Sequence, residues 1–266
     1  MVSYHSRMPR EFLRLAELPT KPRRVGLTHA LDKGISVEAM VGILTSYSDF
    51  IDIWKFGWGT SYVEPRLAEK MELLRRHGVQ SCVGGTLLEI AWAQGSAEEC
   101  LAWAQSSGFD AVEVSRGIVP MSLSDKQGLI RRAAADFTVF AETGYKSRER
   151  VLLPDEWRRE FIEDMSNGAS YVVAEGRESG TIGVYDHEGQ TEEAIVEAAI
   201  TAAGIDRVIF EAPRKDQQVW FIERHGPTVN LGNIGVWDIL ALATLRLGLR
   251  ADTAHLSVGQ ATQALA

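Results

Sequence analysis

Cysteine and long apolar runs are scarce in this chain of 266 residues. Its two cysteines, Cys82 and Cys100, are too few for a disulfide scaffold and lack metal-ligand spacing, so we interpret them as reduced, packed thiols. No apolar run approaches the roughly 20 residues that a membrane span needs, and the polar N-terminus lacks the charged-then-apolar pattern of a leader. We therefore expect a cytoplasmic protein with no membrane partner.

Two kinds of sequence motif are also missing. The six histidines form no H-x-H or H-E-x-x-H pattern, which argues against a zinc site. The first predicted strand runs into the turn LDKG and lacks G-x-G-x-x-G, which argues against a dinucleotide-binding fold. A net charge of −8 and an isoelectric point near 5.4 give no general attraction to nucleic acid, so an anionic ligand must be held by local basic groups.

Strand-like and helix-like segments alternate along the sequence from residue 24 onward. Because parallel strands need a helical crossover, eight such units in about 230 residues are typical of a closed (β/α)₈ barrel of the TIM type. A doubly wound open sheet is the alternative. We predict one barrel domain over residues 23–253, with a lead-in segment at 1–22 and a C-terminal tail at 254–266.

Charged and amide side chains stand at the predicted carboxyl ends of the strands, which meet on one face of a barrel. The fifth predicted strand, FTVFAETGYK at 137–146, ends in Glu142 and Lys146, and the third, VQSCVGGTLLE at 79–89, ends in Glu89. The whole set comprises Asp32, Lys33, Lys55, Glu89, Glu113, Ser115, Glu142, Lys146, Glu175, Arg177, Glu178, Glu211, Arg214, Lys215, Asn230 and Asn233.

This ring of mixed charge indicates an active site, because buried charges are costly unless they are paired, bind a metal or await a charged ligand. Carboxylates without paired histidines favour Mg²⁺ or Mn²⁺ over zinc. The cations favour a small phosphorylated or carboxylated substrate, with backbone N–H groups around Gly232 and Asn233 as a phosphate cradle. Lys146 suits either a general acid or an imine-forming nucleophile.

A glycosidase would also use two carboxylates at strand ends, and Glu113 with Glu211 could take those roles. The excess of cations argues against this interpretation, because a neutral sugar does not need them. The tryptophans add little support, since most of them fall in or beside predicted helices, where packing explains them.

Seven motifs resemble the phosphosulfolactate synthase family, in order from about Gly26 to Thr253. Three of them are highly specific, namely KFGWGT at 55–60, EGRESG at 175–180 and EAP-x-K-x-QQ at 211–218. The others are GGTLLE at 84–89, EVSRG at 113–117, NLGNI at 230–234 and LRLGLRADT at 245–253.

The resemblance implies a (β/α)₈ barrel and a Mg²⁺-dependent carbon–sulfur lyase that adds sulfite to phosphoenolpyruvate. The product is (2R)-phospho-3-sulfolactate, a step toward coenzyme M in methanogens. Sulfite attack on C3 pushes charge into the substrate carboxylate, giving an aci-carboxylate that a metal and cations stabilise. Lys146 corresponds to the last lysine of the family motif E-V-G-K-K, which implies that it is the general acid for C2. The resemblance also implies a homo-oligomer.

Residue roles follow from combining the strand ends with the resemblance. We assign catalysis to Lys146. We assign metal binding to Glu113, Glu142, Glu175 and Glu211. We assign substrate binding to Lys33, Lys55, Arg177, Lys215, Asn230, Gly232 and Asn233.

Five positions depart from the family pattern. Thr143 replaces a valine and Tyr145 replaces the first lysine of the motif around Lys146. Arg116 stands where an acidic or small residue is usual, Ala243 where a glutamate is usual, and His29 where an apolar residue is usual. These departures leave open a diverged member that acts on another phosphorylated or carboxylated substrate, including imine chemistry, or a non-enzymatic, stress-related interaction protein.

Overall fold

The computed structural model of the chain describes residues 12–145 and 152–258. Eight parallel strands close into a barrel in chain order, with the last strand bonded to the first. This confirms the predicted (β/α)₈ barrel, and the open-sheet alternative is wrong. The strands are β1 Thr28–Asp32, β2 Ile53–Phe56, β3 Gln80–Val83, β4 Ala111–Val114, β5 Thr138–Thr143, β6 Tyr171–Ala174, β7 Val208–Glu211 and β8 Leu231–Gly235.

Helices connect successive strands, and several begin at clear sequence signals. Ser36 and Ser122 each accept a hydrogen bond from a backbone N–H three residues later, which is the usual N-cap arrangement. Pro154 starts another helix, where its missing N–H costs nothing. The helices are α1 Val37–Tyr47, α2 Thr60–Val63, α3 Leu67–Arg76, α4 Gly85–Ala93, α5 Ala97–Ser106, α6 Leu123–Ala133, α7 Pro154–Ser166, α8 Glu193–Ala203, α9 Lys215–His225 and α10 Ile239–Arg246.

Two apolar layers bury the strands on both faces, as expected for a parallel barrel. The larger layer lies between the barrel and its helices, where Phe210 stacks on Phe221 with ring centroids 4.5 Å apart. The smaller layer forms an apolar floor inside the barrel, made of Leu27, Ile53, Cys82, Ala111, Phe140, Val173 and Ile209. None of the described helices is both long enough and apolar enough to cross a bilayer.

The third strand is shorter than predicted. It ends at Val83, and the segment that was expected to extend it forms the start of α4. A Cβ atom on Gly84 would lie 2.6 Å from the carbonyl oxygen of Phe56, so the chain can turn there only because this residue is glycine. Glu89 therefore lies on a helix, where its carboxylate accepts hydrogen bonds from Ser115 Oγ and from the backbone N–H of Ile118.

Asn230 does not lie at the carboxyl end of its strand, contrary to the prediction. It precedes β8, which begins at Leu231, and so stands at the amino-terminal end of the barrel. Its side-chain oxygen accepts the N–H of Leu27 at 3.0 Å, and its side-chain nitrogen donates to the carbonyl oxygens of Asp206 and Val208 at 3.1 Å. The Asn230 amide thus links the start of β8 to the starts of β1 and β7.

Candidate active site

Among the described residues, five charged side chains enter the barrel above the apolar floor. Each lies two residues after a floor residue on the same strand, so the period-two alternation of a strand points both into the barrel. All five are at least 95% buried. They are Lys55 on β2, Glu113 on β4, Glu142 on β5, Glu175 directly after β6, and Glu211 on β7.

Lys55 forms the centre of this arrangement. Its Nζ atom lies 2.9 Å from Oε2 of Glu113 and 3.0 Å from Oε1 of Glu211. Burial alone would lower the pKa of Lys55, but the charges of Glu113, Glu211 and Glu142 outweigh it and hold that pKa well above its usual value. The lysine is therefore a permanent cation among the carboxylates.

Three of the carboxylates are close enough to share one metal ion. Single oxygens of Glu113, Glu142 and Glu211 all lie within 4.8 Å of one another. Three hard oxygen donors without imidazole or thiolate suit Mg²⁺ or Mn²⁺. Glu175, the fourth predicted ligand, lines the same pocket but lies outside this group, and its Oε1 accepts the N–H of Arg177 at 2.6 Å.

Backbone N–H groups fix the orientation of two of these carboxylates. Glu113 Oε1 accepts the N–H of Gly85 at 3.0 Å, at the start of α4. Glu211 Oε2 accepts the N–H groups of Gly176 and Arg177 at 2.9 and 3.1 Å. A Cβ atom on Gly176 would lie 2.7 Å from the carbonyl oxygen of Glu211, so a larger residue could not approach this closely. The loop after β6 is thus built to hold Glu211.

Strained backbone surrounds the pocket mouth. Among the described residues, three non-glycine positions have positive φ: Trp58 at 55°, Arg177 at 53° and Asn233 at 53°. All three line the same pocket, of about 160 Å³, together with the carboxylates and Lys55. Left-handed backbone at non-glycine residues costs energy and concentrates at functional sites, so this agreement supports the pocket as the active site.

His29 lies beneath the charged group, inside the barrel. Its ring stacks on Phe140 with centroids 5.6 Å apart, and neither ring nitrogen has a hydrogen-bond partner in the described part of the chain. Burial lowers the pKa of His29 well below its usual value, the charge of Lys55 lowers it further, and Glu142 only partly opposes them. The imidazole is therefore neutral.

Not every residue assigned to substrate binding reaches the pocket. Lys33 pairs with Glu178 at 2.9 Å on the exposed rim, and Lys215 pairs with Asp252 at 2.8 Å with half of its side chain exposed. Neither lysine lines the pocket. Lys146 lies outside the described residues.

The predicted phosphate cradle is divided between two environments. Asn233 lines the pocket, with 6% of its surface exposed. Gly232 lies inside the barrel, where an added Cβ atom would be 3.2 Å from His29 Nδ1 and 3.0 Å from Ile209 Cγ2. Its lack of a side chain makes room for the histidine.

Sequence reasoning missed several residues that shape the pocket. Gly85 and Thr86 at the start of α4 line it, as does Ile118. The paired glycines after β3 were the available signal, because adjacent glycines often mark a close backbone approach. The donors on Gly176 and Arg177 left no such signal, since their contact with Glu211 joins residues 35 and 34 positions apart.

Comparisons with known proteins show which family the chain resembles. The sequence model of the (2R)-phospho-3-sulfolactate synthase (ComA) family matches residues 16–252. The chain is 42% identical over 239 residues to a phosphosulfolactate synthase of Methanothermobacter thermautotrophicus, covering 88% of this chain and 93% of that one. It is 39% identical over 243 residues to a phosphosulfolactate synthase of Bacillus subtilis, covering 89% and 96%.

A solved structure supports the fold at much lower sequence similarity. The 3-hexulose-6-phosphate synthase of Salmonella typhimurium superposes with a TM-score of 0.52 at 11% identity, covering 88% of this chain and 99% of that one. At this identity the likeness concerns the barrel alone. The family match and the two relatives extend over nearly the whole chain, and so the protein belongs to the phosphosulfolactate synthase family.

Proposed function

We propose that this protein adds sulfite to phosphoenolpyruvate and forms (2R)-phospho-3-sulfolactate. The observation that carries the proposal is the buried group of Lys55, Glu113, Glu142 and Glu211 in a small pocket of a chain that belongs to this family. Both proposed substrates are small anions. A pocket with a permanent cation and three potential metal ligands suits them better than it suits a neutral ligand.

The donor set fits Mg²⁺ or Mn²⁺. Glu113, Glu142 and Glu211 would hold the ion, because their oxygens converge and all three are buried. When bound, such an ion supplies a Lewis acid for negative charge that develops on a substrate carboxylate. Glu113 and Glu211 are already oriented by backbone N–H groups, so little reorganisation accompanies binding.

The protein's own cations offset part of the negative charge of the carboxylates and of the proposed substrate. Lys55 keeps its proton because three carboxylates surround it, and it can donate toward an anion above them. Arg177 stands at the pocket mouth, and the Asn233 side chain offers an amide in the same pocket. These groups would orient the substrate and neutralise part of its charge.

The proposed reaction needs one proton at C2. Sulfite sulfur forms a bond to C3, the electron pair of the C2–C3 double bond moves toward C2 and the carboxylate, and C2 then takes a proton. We assign that proton to the ammonium group of Lys146 on the strength of the family resemblance, and a lysine in this role needs a pKa near neutrality. No group leaves, so the phosphate remains on the product.

An absorbance assay tests the proposal. Phosphoenolpyruvate absorbs in the ultraviolet through its enol group, and addition across that double bond removes the absorbance. We expect the loss to require both sulfite and Mg²⁺ and to stop when a chelator is added. Metal-replete protein that shows neither turnover nor calorimetric binding of phosphoenolpyruvate would contradict it.

A further inference from the structure

A second charged cluster lies behind β5, outside the pocket. Arg116, in the loop after β4, donates from Nη1 to the hydroxyl of Tyr145 at 2.8 Å, and its guanidinium lies 5.2 Å from the centre of the tyrosine ring. The same guanidinium donates from Nε to Glu160 Oε1 at 3.1 Å, and its Nη2 contacts Glu160 Oε2. We call Arg116, Tyr145 and Glu160 the β5 clamp.

Buried residues of α6 and α7 anchor the clamp. Lys126 on α6 donates to Glu160 at 2.8 Å and to Asp164 at 2.6 Å, both on α7. It also lies 3.3 Å from the hydroxyl of Thr143, the last residue of β5. Lys126 and Asp164 are completely buried. Side chains outside β5 therefore contact its carboxyl end at two places: Lys126 contacts Thr143, and Arg116 contacts Tyr145 two residues later.

Two cations keep the carboxylate of Glu160 ionised although it is buried. Burial would raise the pKa of Glu160, but Lys126 and Arg116 together hold it at about 2. A bidentate guanidinium–carboxylate pair fixes direction as well as distance, which a lysine in place of Arg116 would not do. Glu160 on α7 therefore holds the Arg116 guanidinium in place while its Nη1 donates to the Tyr145 hydroxyl.

The tied end of β5 is also the part that enters the active site. Glu142 precedes Thr143, so the two side chains point to opposite faces of the strand, Glu142 toward Lys55 and Thr143 toward α6 and α7. Thr143 is one peptide bond away from Glu142 and Tyr145 is three away, so a shift of either residue would also move Glu142. Catalytic geometry tolerates little such movement, since a displacement of about 1 Å can cost on the order of 100-fold in rate.

We propose that Arg116 is a positioning residue: held by Glu160, it fixes Tyr145 and thereby the carboxyl end of β5, which carries Glu142 into the carboxylate group. Arg116 does not line the pocket, so it acts through Tyr145 and not by touching the substrate. The kinetic part of this inference rests on the proposed function, whereas its structural part does not.

Two substitutions and their combination test the clamp. Arg116→Met removes both sets of contacts, and Tyr145→Phe removes one hydroxyl while keeping the ring, so the second variant keeps the test usable if the first folds poorly. Arg132→Met is the matched control, because Arg132 is an α6 arginine paired with Glu98 and Asp136 on the exposed surface. Each variant is compared with wild type by hydrogen exchange of the peptide covering residues 138–145 and by steady-state kinetics.

We expect amide exchange in this peptide to be about tenfold faster in Arg116→Met and Tyr145→Phe, with other strands unchanged. We expect kcat to fall about tenfold while KM for phosphoenolpyruvate changes less than about twofold. The double variant should be no worse than Arg116→Met alone, because Tyr145→Phe breaks a contact that Arg116→Met has already removed. Arg132→Met should resemble wild type in both measurements.

Unchanged exchange in both variants would overturn the inference, and so would faster exchange with an unchanged kcat in an active enzyme. Additive losses in the double variant would also overturn it, since independent residues would then be responsible. If wild type itself does not consume phosphoenolpyruvate, the proposed function fails, and the exchange results alone decide whether Arg116 holds β5.

Discussion

The Nζ atom of Lys55 lies 3.0 Å from Oε1 of Glu211, while the other oxygen of that carboxylate accepts two backbone N–H groups. Glu211 is thus held from both sides, by a buried cation and by the loop after β6. The same lysine reaches Glu113, so one side chain links opposite sides of the barrel. The buried carboxylates therefore depend for their stability on Lys55, the cation that we also propose to bind the substrate.

Replacing Lys55 by methionine should destabilise the protein strongly. It leaves Glu113, Glu142 and Glu211 buried without their shared cation, which typically costs about 3–5 kcal/mol of unfolding free energy. Urea unfolding measures this loss, and added Mg²⁺ should restore part of it by taking the place of the missing charge. Lys33→Met is the control, because the exposed pair of Lys33 with Glu178 should contribute less than about 1 kcal/mol. Equal losses in the two variants would contradict this account.

Glu142→Gln should weaken metal binding far more than Glu175→Gln. Glu142 belongs to the group of three carboxylates whose oxygens converge, whereas Glu175 lies outside it. Titration with Mn²⁺ followed by electron paramagnetic resonance gives the affinity without requiring turnover. We expect a loss of more than about tenfold for Glu142→Gln and a smaller one for Glu175→Gln. A larger loss of affinity for Glu175→Gln than for Glu142→Gln would mean that other residues bind the ion.

Gly232→Ala should cost about 1–3 kcal/mol of unfolding free energy, because the new methyl group meets His29 and Ile209 within the closed barrel. Combining it with His29→Ala should recover part of that loss. Gly42→Ala is the control: in the described part of the chain, no atom outside the adjoining residues and backbone of its own helix lies within 4 Å of the added Cβ atom, and alanine favours that helix, α1. A fully tolerated Gly232→Ala would show that this glycine is not needed to accommodate the histidine.

Asp164 should make stability fall as pH rises between about 4 and 6. Burial raises the pKa of Asp164 to about 6, against an ordinary value of 3.8, even though Lys126 partly opposes the shift. In that window the folded protein keeps a proton that the unfolded chain releases, so this contribution is present below pH 3.8 and is lost as pH passes 6.

The Asp164→Asn variant cannot titrate at this position. The unfolding free energy of wild type minus that of the variant should therefore decrease by about 2–3 kcal/mol from pH 4 to pH 7. Chemical denaturation at several pH values measures this difference. A constant difference across the window would mean that Asp164 has an ordinary pKa in the folded protein.

The barrel could be predicted because its pattern is local. Buried parallel strands read as short β-branched and aromatic runs, and the carboxyl ends of such strands meet on one face of a barrel, which was enough to place Glu113 and Glu211 together. Glu89 was misplaced because a short apolar run reads alike in a strand and at the start of a buried helix. Asn230 was misplaced because the start of β8 depends on pairing with β1 and β7, which sequence spacing does not define.

Long-range contacts were beyond sequence reasoning. Arg116, Thr143 and Tyr145 stood out only as separate departures from the family pattern, yet Arg116 contacts Tyr145, and both Arg116 and Thr143 reach the network of Lys126 on α6 and Glu160 on α7. These residues are up to 44 positions apart in the chain. Only the closed barrel brings them together, so their relationship could not be read from residue types or periodicity.

The most direct test of the account is to incubate the metal-replete protein with phosphoenolpyruvate and isotopically labelled sulfite and to analyse the product by mass spectrometry. We predict a single product that contains phosphoenolpyruvate plus one labelled sulfite, with its phosphate retained, and that fails to form when a chelator is present. Phosphoenolpyruvate recovered unchanged, with no label incorporated and no heat of binding, would contradict the proposed function.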